Sequence, residues 1–282
     1  MPVYTDGRDQ ERHYGTFEDL DSILAILGST RVVFLPFLTA VGAVVQSYGG
    51  SAHDFSPSDE AGDVNLEDEF IPYKHEGGVF SYFFDRSANN HLEGVDHADF
   101  SHVSAGDDLP FSIGAFVLPR LAGTKQTIFG KYDVAGAARE YALRLDASEK
   151  IEFELFDESI ADANAAVTAP GDTALTINVW SSVIATYNGA GGNPGLGASS
   201  MTLVTYLNGI DDTGTVVGAG GDDYVDMEDL AGPPMIGAAD DQAAPTFEFE
   251  GRIALPFITG KELSAAEVSE INAIGRRILG LA

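Results

Sequence analysis

The chain has 282 residues, enough for one large all-β domain or two small ones with a sizeable core. Its 44 acidic residues against 15 basic ones give a formal net charge of −29, and such a surface repels nucleic-acid phosphates. With no cysteine there is neither a disulfide framework nor a thiolate metal site, although that absence leaves the compartment open.

The 32 glycines and five lysines favour many short strands and turns. Acidity, scarce lysine and abundant Ala, Gly and Val fit a protein that works at high salt, where screening shortens to ~3 Å near 1 M. Marine or merely solubilising acidity is the alternative. Asp6, Asp9 and Glu11 lie beside Arg8 and Arg12 in the first fifteen residues, so no secretory leader is expected. The most apolar stretch, residues 22–45, is broken by Gly28, Ser29, Arg31 and Pro36 and falls short of the ~20 residues of a spanning helix. Neither nucleic-acid binding nor membrane insertion is expected.

Residues 1–15 lack periodicity and read as an arm. A helix is predicted over 16–27: Thr16 can cap it, Glu18 and Asp19 suit its start, and Gly28 can end it. Phe17, Leu20, Ile23, Leu24 and Leu27 share one face. That face either packs on the chain's own domain or docks the protein into a larger assembly. Residues 31–39 read as a buried or edge strand, with Pro36 removing one ladder donor. Residues 56–76 are acidic and turn-rich, a surface loop with at most a short strand. Strand signals follow at 77–85, 110–117, 127–132, 140–145 and 150–156, the last alternating with period two.

Residues 178–209 hold the only tryptophan, Trp180, and two apolar runs that end in Asn188-Gly189 and Asn208-Gly209. Asn and Gly tolerate the positive φ of tight turns, so this stretch predicts two antiparallel strands. The loop 211–229 is acidic, with Asp211, Asp212, Asp222, Asp223, Asp226, Glu228 and Asp229. A short strand begins at Pro233-Pro234-Met235-Ile236-Gly237, and 246–257 alternates again. Ser264-Ala265-Ala266-Glu267 is a capping box, with Leu263 and Val268 placed as a hydrophobic staple. Val268, Ile271, Ile274 and Ile278 give the helix that follows an apolar face. Arg276 and Arg277 suit its negative end, and Gly280 can terminate it.

Trp-x-x-Val-Ile-Ala-Thr-Tyr-Asn-Gly at 180–189, followed by Met-Thr-Leu-Val-Thr-Tyr-Leu-Asn-Gly at 201–209, resembles the central hairpin of laminin-G-like, concanavalin-A-like jelly-roll domains. Tyr82-Phe83-Phe84-Asp85, His91-Leu92 and then Phe111-Ser112-Ile113-Gly114-Ala115-Phe116-Val117 are similar to that family's F-D-G-x-x-x-Y-L and F-S-I-x-A-W-V order. Arg86 stands where Gly is usual, and Phe116 where Trp is common. The runs 233–237, 246–257 and 263–268 match the closing motifs, so the resemblance spans about residues 31–275. It implies an all-β fold, a two-sheet antiparallel jelly-roll sandwich (concanavalin-A-like) with a short N-terminal helix and a C-terminal helix. The expected division is an arm and helix over 1–30 and the sandwich with its C-terminal helix over 31–282.

Retaining glycosidases need two carboxyls ~5–5.5 Å apart, and one glucanase family of this fold carries Glu-x-Asp-x-Glu on one strand, a run absent here. The nearest pairs, Glu152-Phe153-Glu154 and Glu248-Phe249-Glu250, read as solvated strand faces, and no catalytic residue is assigned. Calcium is the commonest metal of the resembled superfamily. Its candidate ligands are Asp85 with Asn89 and Asn90, the acidic loop 222–229, and Asp240-Asp241, none with the spacing of a dedicated calcium loop. A structural calcium is the one cofactor the resemblance allows. The histidines are His13, His53, His75, His91, His97 and His102. Of these, His97 and His102 show no metal-ligand spacing with another strong ligand, and ordinary exposure accounts for the set. The glycine-rich run 191–197 lacks the Lys-Ser/Thr of a phosphate loop.

Members of the resembled family without catalytic motifs mostly bind glycans or proteins or serve as structural modules. The leading expectation is a non-enzymatic virion structural or surface protein, a capsid decoration or tail appendage of a tailed virus of a salt-loving host. Its partners would be other virion proteins and a host surface glycan or protein. It would dock through Phe17, Leu20, Ile23, Leu24 and Leu27, form a homo-oligomer, and sit at the virion surface (otherwise extracellular). The alternatives are a carbohydrate-binding, lectin-like module and, behind it, a glycoside hydrolase.

Overall fold

Apolar and β-branched runs punctuated by Gly, Asn and Asp pair into two facing antiparallel sheets, as alternation with period two requires of half-buried strands. The computed structural model describes residues 7–49, 52–58, 65–134, 136–159, 166–192, 200–219, 224–239 and 245–281. The chain opens with α1 (Gly7–Leu27), β1 (Val33–Phe34), β2 (Val45–Gln46), β3 (Asp54–Ser58), the short α2 (Leu66–Glu69), β4 (Ile71–Lys74) and β5 (Phe80–Phe84). After a turn come β6 (His91–Gly94), β7 (Val103–Ser104), β8 (Asp107–Asp108), β9 (Phe111–Pro119), β10 (Gln126–Asp133), β11 (Ala138–Leu145) and β12 (Lys150–Phe156). Then follow β13 (Ala166–Ala174), β14 (Ser181–Tyr187), β15 (Leu203–Leu207), β16 (Ile210–Asp211), β17 (Val217–Ala219), β18 (Pro234–Ile236), β19 (Gly251–Thr259) and α3 (Ala265–Ile278).

Among the described residues, an eight-stranded sheet runs β16-β15-β14-β9-β19-β5-β4, with β1 added against β19. A nine-stranded sheet runs β17-β13-β12-β11-β10-β18-β6-β3-β2. This is the expected sandwich. Between the sheets lies the main core, where Ile113, Val117, Val183 and Ile253 meet Phe129, Tyr141, Leu143 and Phe153. The Asn208-Gly209 turn behaves as its residues require, with φ of 53° and 79° in the left-handed region.

A second apolar layer covers the other face of the eight-stranded sheet. Leu20, Ile23 and Leu27 of α1 pack there with Val268, Ile271, Ile274 and Ile278 of α3 against Phe116, Ile184 and Phe257. The α3 capping box forms as read: Ser264 Oγ accepts from the Glu267 amide at 3.4 Å, and the Ser264 amide donates to Glu267 Oε2 at 2.9 Å. At Gly275 the helix touches the sheet, because a Cβ there would overlap the Phe116 ring.

Three sequence expectations change. The helix α1 starts at Gly7, not Thr16, because Asp9, Gln10, Glu11 and Arg12 propagate a helix without an apolar stripe. Only Val33 and Phe34 of 31–39 make ladder pairs; Phe37 has φ of 48°, which breaks the extended run just past Pro36. The closing strand begins at Gly251, since Phe247 sits at φ of 52° and joins Tyr132 and Phe156 while Phe249 enters the main core.

Pairing of Tyr187 with Phe111 and Leu203, and of Gly94 with Phe55, gathers the start of β9, the end of β14 and the end of β6 at one rim. The polar residues that sequence could not pair meet at this rim.

Candidate functional site

The site is built on Asp108, at the end of β8 just before β9. It is buried, and both carboxylate oxygens are occupied: Oδ2 accepts from the hydroxyls of Tyr187 and of Tyr224 (2.7 Å), and Oδ1 from the Met227 amide at 2.8 Å. Tyr187 ends β14, and its oxygen also accepts from the Gly191 amide at 2.8 Å. One carboxylate thus ties the hairpin that contains Asn188-Gly189 to the acidic loop. A second link joins them directly, the Gly192 amide donating to the Val225 carbonyl at 2.7 Å. Gly189 is required here: its φ is +70°, and a Cβ would meet the Pro110 backbone.

Around this frame lies a cleft of about 230 Å³ lined by Asp107, Asp108, Gly189, Ala190, Gly191, Gly192, Val225 and Asp226. Asp107 and Val225 are exposed and Asp226 is half-buried. Burial raises the Asp108 pKa above its ordinary value, against its hydrogen bonds, with the Asp157 charge adding to the rise. Burial and then the charges of Asp108, Asp157 and Asp107 raise Asp226. Asp157 is spent on the frame, accepting from the Val225 amide at 2.9 Å and from Ser159. The arrangement supplies carboxylate acceptors on a stiff support, beside glycine backbone that a ligand can approach closely. A larger cavity of about 590 Å³ along residues 38–48 is lined by no carboxylate or imidazole.

The expected site residues fare differently. Leu20, Ile23 and Leu27 are buried against the chain's own sandwich, Leu24 is half-buried, and Phe17 is 45% exposed. The Asp85 group closes its own turn: Asp85 Oδ1 accepts from Ser87, Asn90 Oδ1 accepts from the Asp85 amide, and the Asn90 amide donates to the Glu69 carbonyl. Asp222, Asp223, Asp240 and Asp241, with most of the 191–197 loop, lie outside the described residues. Glu154 is held by Arg144 at 2.5 Å, and Lys125 pairs with Glu152 and lies 3.8 Å from Glu154. Glu250 accepts from the Arg86 amide at 2.9 Å, and Arg86 Nε lies 3.7 Å from Glu248. These strand-face carboxylates are therefore cation-bound or capped, not solvated as the alternation of their strands predicts.

Sequence reasoning missed Asp108, Tyr187 and Tyr224 as a unit, because 79 and 116 residues separate Asp108 from its two tyrosines. The available signal is Asn188-Gly189 and the acidic loop 211–229, two features that lie apart in the sequence.

A family model described as the concanavalin A-like lectin/glucanases superfamily matches residues 92–269. No curated protein matches the sequence. Among solved structures, the chain is similar to the binding domain of botulinum neurotoxin DC in complex with SialylT, at 11% identity and a TM-score of 0.57, over 88% of this chain and 52% of that one. It is similar to the ligand binding domain of botulinum neurotoxin serotype D in complex with N-acetylneuraminic acid, at 14% identity and a TM-score of 0.52, over 89% and 52%. It is also similar to the Trypanosoma rangeli sialidase in complex with the inhibitor DANA, at 12% identity and a TM-score of 0.51, over 85% and 32%. At such identities the likeness is one of fold. The chain spans about half the length of the two toxin domains and a third of the sialidase.

Proposed function

We propose that this chain, which belongs to the concanavalin A-like lectin/glucanase superfamily, is a non-catalytic, lectin-like module that binds neutral glycans at the rim cleft. One observation carries the reading: Asp107 and Asp226 border a cleft whose floor is locked by the Asp108–Tyr187–Tyr224 cluster. Carboxylates accept hydrogen bonds from neighbouring sugar hydroxyls, and a locked floor lowers the cost of ordering on binding. The toxin domains of similar fold are in complex with N-acetylneuraminic acid and with SialylT. Here the chemistry differs, because a sialic acid carboxylate entering this cleft meets Asp107, Asp226 and a net charge of −29. Neutral, hydroxyl-rich glycans fit instead.

A glycan array with matched neutral and sialylated ligands tests this. Saturable binding of neutral glycans, lost in Asp107→Asn/Asp226→Asn, is the expected result. Preference for sialylated ligands, or full binding by the double variant, sinks it. Hydrolysis of a glycan that disappears in Glu154→Gln or Glu250→Gln would replace the binding reading with a catalytic one.

The setting in this proposal is a virion surface, with the module repeated as a decoration or appendage. The charge of −29 supports it, since a dense array of such copies stays soluble. Leu20, Ile23 and Leu27 are used within the fold, so docking falls to Phe17 and the outward side of α1. Phe17→Glu should keep the fold and abolish co-sedimentation with particles; undiminished co-sedimentation counts against this docking surface.

A further inference from the structure

We propose that His53, His97 and Asp99 form a binding site for a divalent transition metal, zinc above all. His53 lies just before β3, and His97 and Asp99 lie in the loop after β6, at the rim already described but outside its cleft. Asp99 Oδ2 stands between the two rings, 2.9 Å from His53 Nε2 and 3.4 Å from His97 Nδ1, and one ligand atom from each residue lies within 4.8 Å of the others. Among the described residues this is the only group of three or more His, Cys, Asp or Glu side chains that converges in this way.

The tautomer of His97 is what points to a cation. The Asp99 backbone amide donates to His97 Nδ1 at 3.1 Å. A backbone N–H can only donate, so Nδ1 is unprotonated, with its single in-plane lone pair accepting that amide. That lone pair then lies 3.4 Å from a carboxylate oxygen, two acceptors with no proton between them. A metal ion would take the Nδ1 lone pair in place of the amide, after a turn of the exposed His97 ring, with Asp99 Oδ2 as the neighbouring ligand atom.

The donor set selects the ion. Two imidazoles and one carboxylate suit zinc with one position left open, whereas calcium and magnesium take oxygen ligands. Tetrahedral zinc with N and O ligands at ~2.0–2.1 Å sets its ligand atoms about 3.3 Å apart, close to the two spacings through Asp99. The remaining gap closes by rotation of His97, whose side chain is 55% exposed. His53 is the fixed ligand: its side chain is 12% exposed, and its ring packs on buried Phe100 at 4.8 Å. The filled site would clamp the loop before β3 to the loop after β6. No sequence spacing announces it, since His53 and Asp99 are 46 residues apart.

Titration of the intact chain with ZnCl2 in a calorimeter tests the site, with thermal unfolding measured alongside. The expected result is one equivalent bound and a Tm raised by several degrees. His97→Ala and Asp99→Asn should each weaken binding by about 100-fold or more and remove the Tm shift, while His13→Ala and Asp107→Asn/Asp226→Asn leave both unchanged. His97 is the most exposed ligand, so its variant keeps the metal-free Tm of the parent and separates lost binding from lost folding. Absence of saturable binding, binding unaffected by His97→Ala, or binding lost in His13→Ala overturns the proposal.

Discussion

The helix-covered face of the eight-stranded sheet and the rim of the sandwich are held together by opposite means. On the face, α1 and α3 lay aliphatic side chains on Phe116, Ile184 and Phe257, and the Arg277–Asp19 pair that also joins the two helices lies at the surface. At the rim, buried Lys131 and Glu140 pair at 2.5 Å, Lys131 Nζ also reaches Ser101, Asp96 and the Leu230 carbonyl, and Asp108 sits under two tyrosines. Apolar contact is non-directional and tolerates small shifts. A buried charge is stable only while its partners stay in place. The face should therefore respond to substitution in proportion to volume, and the rim in proportion to broken pairing.

The largest effect expected follows from that difference. Lys131→Met leaves the Glu140 carboxylate buried with only Ser101 and the Leu230 amide as donors. It should cost about 3–5 kcal/mol in urea unfolding. Lys131→Met/Glu140→Leu removes both charges and should recover most of that loss. If the double variant is as unstable as the single one, the pair is not what holds this part of the rim.

On the face, Leu27→Ala should cost about 3 kcal/mol, from lost transfer energy plus the cavity left between α1 and the sheet. Leu24→Ala, at a half-buried position of the same helix, should cost clearly less. Equal costs would show that α1 is held by something other than the apolar stripe.

This stripe was legible in the sequence, and so was α3, because helical periodicity and a capping box are local patterns. The hairpin at Asn208-Gly209 was legible for the same reason. The rim was not. Lys131 on β10 meets Ser101 in a loop and Leu230 in the acidic segment, contacts set by how three distant pieces of chain close over one end of the sandwich. The first turns of α1 were missed for a different reason: a helix formed of charged residues has no apolar period to read.

The pH response separates the regions next. Burial raises the Glu140 pKa to about 7, against its bonds to Lys131, and burial also raises Asp108 and Glu228. A carboxylate whose pKa is higher in the folded state binds its proton more tightly there, so each of these opposes folding once ionised. The carboxylate contribution should therefore fall by of order 2 kcal/mol as pH rises from about 4.5 through about 7. His102, whose pKa burial lowers to about 3, and His75, also lowered by burial, act in the opposite sense; comparison with Glu140→Gln isolates the carboxylate contribution. None of these carboxylates lies on the helix-covered face, so Leu27→Ala should shift the curve of stability against pH downward without changing its slope. Identical slopes for Glu140→Gln and the parent over this window would place Glu140 in its charged form throughout.

The smallest effect expected has the opposite sign. Partial burial disfavours the charge of Asp226, and the field of Asp108, Asp157 and Asp107 disfavours it further. Asp226→Asn removes one negative charge from that group and keeps the shape of the side chain. It should stabilise the protein by about 0.5 kcal/mol, within the range usual for surface changes, and the gain should shrink as salt screens the cluster. The same substitution should weaken glycan binding at the cleft, since it removes a carboxylate acceptor. A stabilised variant that binds less well marks acids kept for recognition at the expense of the fold. Loss of stability in Asp226→Asn would instead make Asp226 a structural partner of the rim, like Asp108, and would move the recognition site away from it.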